Sequence, residues 1–384
     1  MHSYPERMSE EEEAEVAADS MLVCCASCGI KEVDEVKLRK CACNLVKYCS
    51  VDCQKIHRPQ HKRACKKRAV ELRDELLFKQ PERSHFGDCP ICCVPLPLDP
   101  MKSTVNTCCS KAICDGCDYA NMTLGESSHV CAFCRHPVPN TQEEADKNNM
   151  RRVEANDPVA IRQMGLARYK ARDFDRAFEY YTRAAELGDA HAHYHLSIMY
   201  LKGEREEDEK KYTHHLEEAA IGGHPIARYN LAITEERKDR AERAVKHYAI
   251  AANLGYDLSL DQLKKAYACG LVEKEDLAAA FRKHKAAKDA MDTPRRKAAE
   301  AFMAGSYEWN NGNIVKAVKH LIIAANLGCD LSLDKLKECY ARGFVEKEDL
   351  AAAFRKHHAA VEAMNTPQRK EAEASNTKAE AQQN

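Results

Sequence analysis

The sequence lacks the marks of a membrane protein, a secreted protein and a nucleotide-driven or hydrolytic enzyme. None of its apolar runs approaches the roughly 18 residues that a membrane span needs. Its opening residues are acidic and polar, unlike a secretory signal peptide. It contains no glycine-rich phosphate loop, no Gly-x-Ser-x-Gly and no His-Glu-x2-His. We therefore expect a protein of the cytoplasm or nucleus with no membrane contact.

The chain has almost no net charge, and it contains few aromatic residues. The formal net charge is -1, so no overall field directs the chain to nucleic acid or membrane. Aromatic residues make up 7% of the chain and Trp309 is the single tryptophan, which argues against one large aromatic core. At 384 residues the chain is expected to form about two to four domains.

Cysteine, by contrast, is abundant, and seventeen of the twenty lie between Cys24 and Cys134. Such density indicates a disulfide framework or metal sites. Since a reducing compartment is expected, metal sites are favoured and disulfides are the alternative. The chain divides into an acidic leader (1–22), a first cysteine cluster (24–65), a helical linker (66–88), a second cluster (89–137), helical repeats (157–366) and a polar tail (367–384). The leader and the tail are expected to be disordered.

The first cluster contains ligand-type residues at zinc spacing. So short a segment cannot bury an adequate apolar core, whereas structural zinc supplies about 10–16 kcal/mol of apparent folding free energy. Four ligand pairs suit two tetrahedral zinc ions. The ligand-type residues are Cys25, Cys28, Cys41, Cys43, Cys49, Cys53, His61 and Cys65.

This cluster resembles the MYND zinc finger. The resemblance rests on Tyr48-Cys49-Ser-x2-Cys53-Gln and on His61-Lys-x2-Cys65. Because that family is cross-braced, the resemblance implies one zinc ion on Cys25, Cys28, Cys49 and Cys53. It implies a second ion on Cys41, Cys43, His61 and Cys65. His57 is expected at the surface, and Arg58 stands where the family commonly has a tryptophan of its peptide-binding surface.

A basic run follows the last ligand of the first cluster. It is either a nuclear-import or nucleic-acid patch or, as we favour, the solvated face of a small domain. No aromatic residues interleave with it as a base-stacking surface would require, so nucleic acid is not an expected partner. The run consists of Lys62, Arg63, Lys66, Lys67 and Arg68.

The second cluster contains three Cys-x2-Cys pairs, which again indicate zinc. The pairs are Cys89 and Cys92, Cys114 and Cys117, and Cys131 and Cys134. Between the first two pairs, Cys108 and Cys109 are adjacent. Either both adjacent thiolates bind, or one binds and His129 or His136 supplies the missing ligand.

The second cluster resembles a RING finger through Cys89-Pro-Ile-Cys92 and the closing Cys131-Ala-Phe-Cys134-Arg-His-Pro. The resemblance implies one zinc ion on Cys89, Cys92, Cys114 and Cys117, and another anchored by Cys131 and Cys134. With the first cluster this makes about four zinc ions. It also implies that a ubiquitin-conjugating enzyme contacts Ile91, Arg135 and Pro137, and that no catalytic residue lies on the RING itself. Tyr119 and Met122 stand where the family often has a tryptophan.

The last part of the chain is repetitive. Ala-Ala-x-x-Gly recurs at Ala184–Gly188, Ala219–Gly223, Ala251–Gly255 and Ala324–Gly328, and residues 244–284 return almost unchanged as residues 317–357. Each unit is predicted to be two helices. Asp157 is the expected N-cap before Pro158, and Gly188 suits a left-handed position after a helix.

These units resemble Sel-1-like repeats, relatives of the tetratricopeptide repeat, most closely around Ala184–Gly188 and Ala192–Gly203. The resemblance implies an α-solenoid that binds other proteins, and a helical bundle without a groove is the alternative. The expected fold is mostly α, with two small zinc-stabilised modules followed by an α-solenoid of Sel-1-like helix pairs.

Three functions are compatible with this organisation. The first is a RING-type ubiquitin ligase or adaptor in which the repeats recruit a partner protein. The second is a non-enzymatic scaffold that uses the finger and the solenoid, and the third is a nuclear regulator. Whether the protein is an enzyme is left open by the sequence.

Overall fold

The computed structural model describes residues 24–33, 36–122, 130–204 and 207–364. The expected leader and tail lie outside these residues. The chain forms two compact units, Met1–Gln80 and Pro81–Asn384. In the described ranges, no helix is long and apolar enough to cross a membrane.

The first unit consists of a short hairpin and a long helix. Strand β1 (Arg39–Lys40) pairs antiparallel with β2 (Lys47–Tyr48), and helix α1 spans Val51–Phe78. Ser50 caps α1 by accepting the amide hydrogen of Cys53 at 3.2 Å. The helical linker predicted over 66–88 is therefore helical only as far as Phe78, as the second half of α1, and residues 79–88 are not helical. Leu38, Val46 and Tyr48 pack among the cysteines as a small core.

The second unit begins with the second cysteine-rich module. A short 3-10 helix (Pro100–Lys102) precedes strand β3 (Ser103–Val105), which pairs antiparallel with β4 (Ala112–Cys114) in the register Ser103↔Cys114. Helix α2 (Asp115–Met122) follows β4 directly. Leu96 and Ile113 form the apolar centre of the module, among its cysteines.

The remainder of the second unit is helical. The first helices are α3 (Gln142–Glu154), α4 (Pro158–Lys170), α5 (Phe174–Glu186), α6 (Ala190–Lys202), α7 (Glu209–Ile221), α8 (Pro225–Glu236) and α9 (Ala241–Asn253). They are followed by α10 (Asp257–Ala268), α11 (Lys274–Met291), α12 (Pro294–Asn310), α13 (Ile314–Asn326), α14 (Asp330–Ala341) and α15 (Lys347–Met364).

Local sequence signals account for the ends of these helices. The Asp157 carboxylate accepts amide hydrogens from Val159 and Ala160, so α4 begins at Pro158 as predicted. Gly188, after α5, has a φ of +87°, the left-handed conformation expected for it. The first alanine of each Ala-Ala-x-x-Gly motif is fully buried, which allows close packing between helices. The motif thus supplies both the contact and the turn.

Consecutive helices pack as pairs, namely α4 with α5, α6 with α7, α8 with α9 and α12 with α13. Helices α10 and α11 intervene before α12, and α14 and α15 repeat them after α13. The duplication predicted from sequence is visible in its contacts. The Nε2 atom of His284 lies 2.9 Å from Asp257, and that of His357 lies 3.0 Å from Asp330.

The second cysteine-rich module packs against the repeats of its own unit. Helix α2 lies on α12, and the approach is so close at Gly116 that an added Cβ would lie 3.2 Å from Cγ of Arg296. The Tyr119 ring packs on Phe302, with centroids 4.9 Å apart, and its hydroxyl lies 3.0 Å from Sγ of Cys329. The module is therefore packed into the same compact unit as the repeats and is not a separate domain.

Candidate metal centres

The first centre brings together Cys25, Cys28, Cys49 and Cys53, whose sulfurs all lie within 4.8 Å of one another. Cys28 and Cys53 each lie 3.5 Å from Cys49. Cys49 follows β2 and Cys53 lies in the first turn of α1, so the Ser50 cap holds these two thiols side by side. This is the set that the cross-braced arrangement predicts.

The second centre joins the hairpin to the middle of α1. Its members are Cys41, Cys43, His61 and Cys65, again within 4.8 Å of one another. Sγ of Cys43 lies 3.1 Å from Nε2 of His61, and Sγ of Cys41 lies 3.5 Å from that of Cys65. His57 lies outside the group, because its Nδ1 pairs with the Tyr48 hydroxyl at 3.0 Å.

The third centre contains Cys89, Cys92, Cys114 and Cys117, within the same 4.8 Å limit. Cys114 ends β4 and Cys117 lies on α2, so the strand-to-helix junction presents both thiols to the turn at Cys89 and Cys92. The Arg296 guanidinium reaches this turn from α12. It donates to the carbonyls of Val94 and Pro95 and lies 3.7 Å from Sγ of Cys92.

The fourth centre contains both of the adjacent cysteines. Cys108 and Cys109 both converge with Cys131 and Cys134 within 4.8 Å, at 3.3 Å for Cys108 to Cys134 and 3.9 Å for Cys109 to Cys131. The positive φ of Ser110, +57°, reverses the chain directly after the pair. Among the residues described, His136 is exposed and not part of this group, and His129 lies outside the described residues.

The thiols of these clusters have divergent pKa values. Burial would raise the pKa of Cys25, but hydrogen bonds from the backbone of Cys28, Cys49 and Ser27 outweigh it and lower this pKa to about 6. Hydrogen bonds with Cys28 and Cys53 raise the pKa of Cys49 to about 12. One thiolate thus opposes ionisation of its neighbours, since like charges repel. A divalent cation would relieve that repulsion, so the donor sets fit zinc.

The side chains expected to contact a ubiquitin-conjugating enzyme differ in their exposure. Ile91 is 43% exposed at the turn between the first two cysteines of its module. Arg135 and Pro137 are also exposed. Tyr119, at the position where the family often has tryptophan, is instead packed on α12 as described above. The Met122 side chain lies outside the described part.

The basic run on α1 is partly neutralised by its own helix. Arg68 pairs with Glu71 at 3.3 Å and with Glu75 at 2.8 Å, and Lys67 lies 3.9 Å from Glu71. Lys62 and Lys66 are exposed. These pairs are compatible with the solvated face that the sequence favoured.

A further group of donors was not singled out from the sequence. His85, His191 and His224 bring ring nitrogens within 4.8 Å of one another. They lie far apart in the chain, and the alternation His191-x-His193-x-His195 is the one local signal near them. Only the packing of the repeats on the segment before Cys89 brings them together.

Comparison with known families follows these divisions. The model of the MYND finger matches residues 25–65. This segment is a MYND finger. A MYND finger implies bound zinc, and the match covers both centres of the first unit.

The model of the Sel1 repeat matches residues 160–189, 190–224, 225–256 and 297–329. The chain therefore contains Sel1 repeats, and each match coincides with one of the helix pairs α4–α5, α6–α7, α8–α9 and α12–α13. Residues 89–137 lie outside the matched ranges, and their resemblance to a RING finger stays a prediction. Helices α10 and α11 lie outside the ranges as well.

Two solved structures are similar to this chain. A protective antigen of uropathogenic Escherichia coli that displays an SLR fold shares 18% identity with a TM-score of 0.34, over 59% of this chain and 50% of its own. A Sel1 repeat protein from Oxalobacter formigenes shares 22% identity with a TM-score of 0.33, over 52% of this chain and 60% of its own. The chain thus spans only half to 60% of these structures. No curated protein matches the sequence.

Proposed function

We propose that this protein is a non-catalytic adaptor in which zinc orders the two cysteine-rich modules and the repeats recruit a partner protein. MYND fingers and Sel1 repeats are both protein-interaction modules, which supports the adaptor class. Zinc would occupy all four cysteine-rich centres, with the ligand sets described above. Cysteine used as a metal ligand is typical of reducing compartments, so we propose the cytoplasm or nucleus as its location.

The observation that carries the proposal is a set of exposed apolar side chains that the duplication presents twice. Isolated exposed apolar residues are ordinary, and we take the retention of exposed apolar side chains at the same positions of both copies as support for a binding surface. Lys264 lies 5.4 Å from the Phe281 ring centroid, and Lys337 lies 5.4 Å from that of Phe354. The pairs are Leu258 and Leu331, Tyr267 and Tyr340, Leu271 and Phe344, and Phe281 and Phe354.

The test compares the proteins retained by the full chain with those retained by Tyr267→Ser/Tyr340→Ser after cross-linking in cells. Tyr307→Ser is the matched control, because Tyr307 is 68% exposed and lies outside the duplicated segments. We expect the double variant to lose a defined subset of partners that the control keeps. Identical partner sets for all three proteins, with unchanged circular dichroism, would contradict the proposal.

A RING-type ubiquitin ligase is the second candidate, favoured by the exposure of Ile91, Arg135 and Pro137. The packing of Tyr119 on α12 argues against it, because that aromatic side chain is engaged within the chain. The candidates separate in an autoubiquitination assay on zinc-replete protein with a panel of conjugating enzymes. Ubiquitin chains that disappear in both Ile91→Ala and Cys89→Ser would establish the ligase. Absence of chains across the panel would favour the adaptor.

A further inference from the structure

Three histidines from separate parts of the second unit converge at one point. His85 lies in the segment before the second cysteine-rich module, His191 in the first turn of α6, and His224 at the N-cap of α8. One nitrogen of each ring lies within 4.8 Å of the other two. The backbone supports the arrangement, because the His85 amide donates to the Gly223 carbonyl at 3.0 Å.

The ring nitrogens at this point are buried without partners. Nδ1 of His191 and Nε2 of His224 have no hydrogen-bond partner among the described residues, and the nitrogens of His85 have none of good geometry, although the Gly223 backbone interacts with that ring. The His224 side chain as a whole is 1% exposed. Buried polar atoms are nearly always paired, because leaving one unpaired forfeits its hydration. Three such rings at one point indicate a bound group that they share.

The rings are neutral, which is the charge state from which an imidazole binds a metal ion. Burial lowers the pKa of His85 to about 3 and lowers the pKa values of His191 and His224 well below the usual range, so all three are neutral at physiological pH. A neutral imidazole has a free lone pair, which transition metals coordinate. The Arg162 side chain, whose positive charge also lowers these pKa values, is paired with Asp189 at 3.1 Å.

We propose that His85, His191 and His224 bind a divalent transition-metal ion, zinc in the first instance. Three imidazoles without a carboxylate select ions such as zinc over magnesium or calcium. Zinc–nitrogen distances of about 2.0–2.1 Å require the nitrogens to come closer together than the 4.8 Å limit, and the stacked rings of His85 and His224 must tilt so that both lone pairs point at one ion. A cleft of about 950 Å³, lined by Phe86, Asp88 and His195 among others, adjoins the rings. It leaves room for a fourth ligand.

Metal binding by His224 would cost the hydrogen bond with which this residue caps α8, and this suggests a variant that separates the two roles. Its Nδ1 accepts the Ala227 amide hydrogen at 3.2 Å, so the proton of the neutral ring is on Nε2. Coordination through Nε2 moves this proton to Nδ1 and gives up the cap hydrogen bond. Asparagine is a good N-cap residue without an imidazole, so His224→Asn removes the ligand and keeps the cap.

The ion would act as a clip. It would tie the segment that leads into the second cysteine-rich module to two successive repeats, through the first turn of α6 and the start of α8. The present contacts there are between the rings: His85 stacks on His224 with centroids 4.0 Å apart, and His191 meets His224 edge to face with centroids 5.0 Å apart. Coordination would convert this stacking into a cross-link between sequence-distant segments.

The experiment begins with full-length protein loaded with only as much zinc as the four cysteine-rich centres hold, so that the histidine group is left empty, and cobalt(II) is then added. We expect one further ion per chain, with the visible absorption of nitrogen-coordinated cobalt and without thiolate-to-cobalt charge transfer. Absence of any cobalt band, or a band that carries thiolate charge transfer alone, would overturn the proposal. Mass spectrometry of the native protein counts the ions independently.

Variants then assign the site. His224→Asn and His191→Gln should each weaken the additional ion at least tenfold, since each removes a ligand. His193→Gln is the matched control on α6, because its Nδ1 pairs with that of His215 at 3.0 Å, outside the group of three. Equal binding by all four proteins would overturn the assignment. Circular dichroism of His224→Asn and His191→Gln distinguishes loss of a ligand from loss of fold.

Discussion

The two cysteine-rich modules show how differently similar donor sets can be used. Each has two groups of four donors within 4.8 Å and a small apolar core. The MYND finger belongs to the compact unit Met1–Gln80, whereas the second module belongs to the unit that contains the repeats. In that unit α12 contacts α2 and the turn at Cys92. Ligand spacing is therefore a local property, while the surface that a module offers depends on its neighbours.

Removal of one metal ligand from each module should cause the largest loss of structure, and it tests whether the two modules differ in their coupling to neighbouring helices. In Cys89→Ser we expect lost protection against amide exchange in the module and also in α12, because α12 packs on it. In Cys25→Ser the loss should be confined to Met1–Gln80. Structural zinc contributes about 10–16 kcal/mol of apparent folding free energy, more than a module of this size can replace. The measurement is hydrogen exchange with mass spectrometry.

The comparison would fail if α12 kept full protection in Cys89→Ser. The repeats would then be independent of the second module, and the contacts at Arg296 would be incidental. The amount of zinc bound by each variant is the control, since each must lose metal for the comparison to be valid.

Arg296→Met should give the next largest effect. Arg296 is 3% exposed and donates to the carbonyls of Val94, Pro95 and Met291. Methionine keeps the apolar stem but leaves these carbonyls unpaired, so we expect a loss of about 2–4 kcal/mol in the unfolding free energy of the second unit. Urea titration followed by far-ultraviolet circular dichroism measures it. The exposed neighbour provides the control: Arg295→Met should be within about 0.5 kcal/mol of the parent.

The smallest expected effect concerns His215, which makes the stability of the repeats sensitive to acid independently of the release of zinc. Burial, followed by the nearby His193 and His214, lowers the pKa of His215 from 6.5 to about 4. The folded protein binds this proton less readily than the unfolded chain. The neutral His215 ring therefore contributes fully to the unfolding free energy above pH 6.5, and this contribution is lost as the pH falls toward 4. Partial exposure reduces it to about 1–2 kcal/mol.

His215→Gln should make the unfolding free energy less dependent on pH between 6.5 and 4. His214→Gln, at an exposed position of the same helix, should change the dependence much less, because His214 lowers the pKa of His215 less than burial does. Thermal unfolding at a series of pH values in this window measures both variants. A steeper dependence in His215→Gln would show that the buried ring stabilises the protein through its charged form.

Much of the architecture could be predicted because it depends on short-range chemistry. Asp157 before Pro158 starts α4 by a cap that needs three consecutive residues, and Gly188 ends a repeat through its own φ. The cross-braced pairing of Cys25 with Cys49 followed from a family pattern rather than from spacing. The adjacent Cys108 and Cys109 could not be resolved from sequence, because their joint approach to Cys134 depends on the turn at Ser110.

The sequence by itself determined the mostly helical class, the MYND finger and the Sel1 repeats. These features arise from spacing within a few turns of chain, where the backbone leaves few alternatives. Only the tertiary structure decided that Arg296 supports the turn at Cys92, that Tyr119 is engaged by α12, and that His85 meets His191 and His224. Such contacts join distant segments. They depend on how helices stack, and a local pattern carries no record of that stacking.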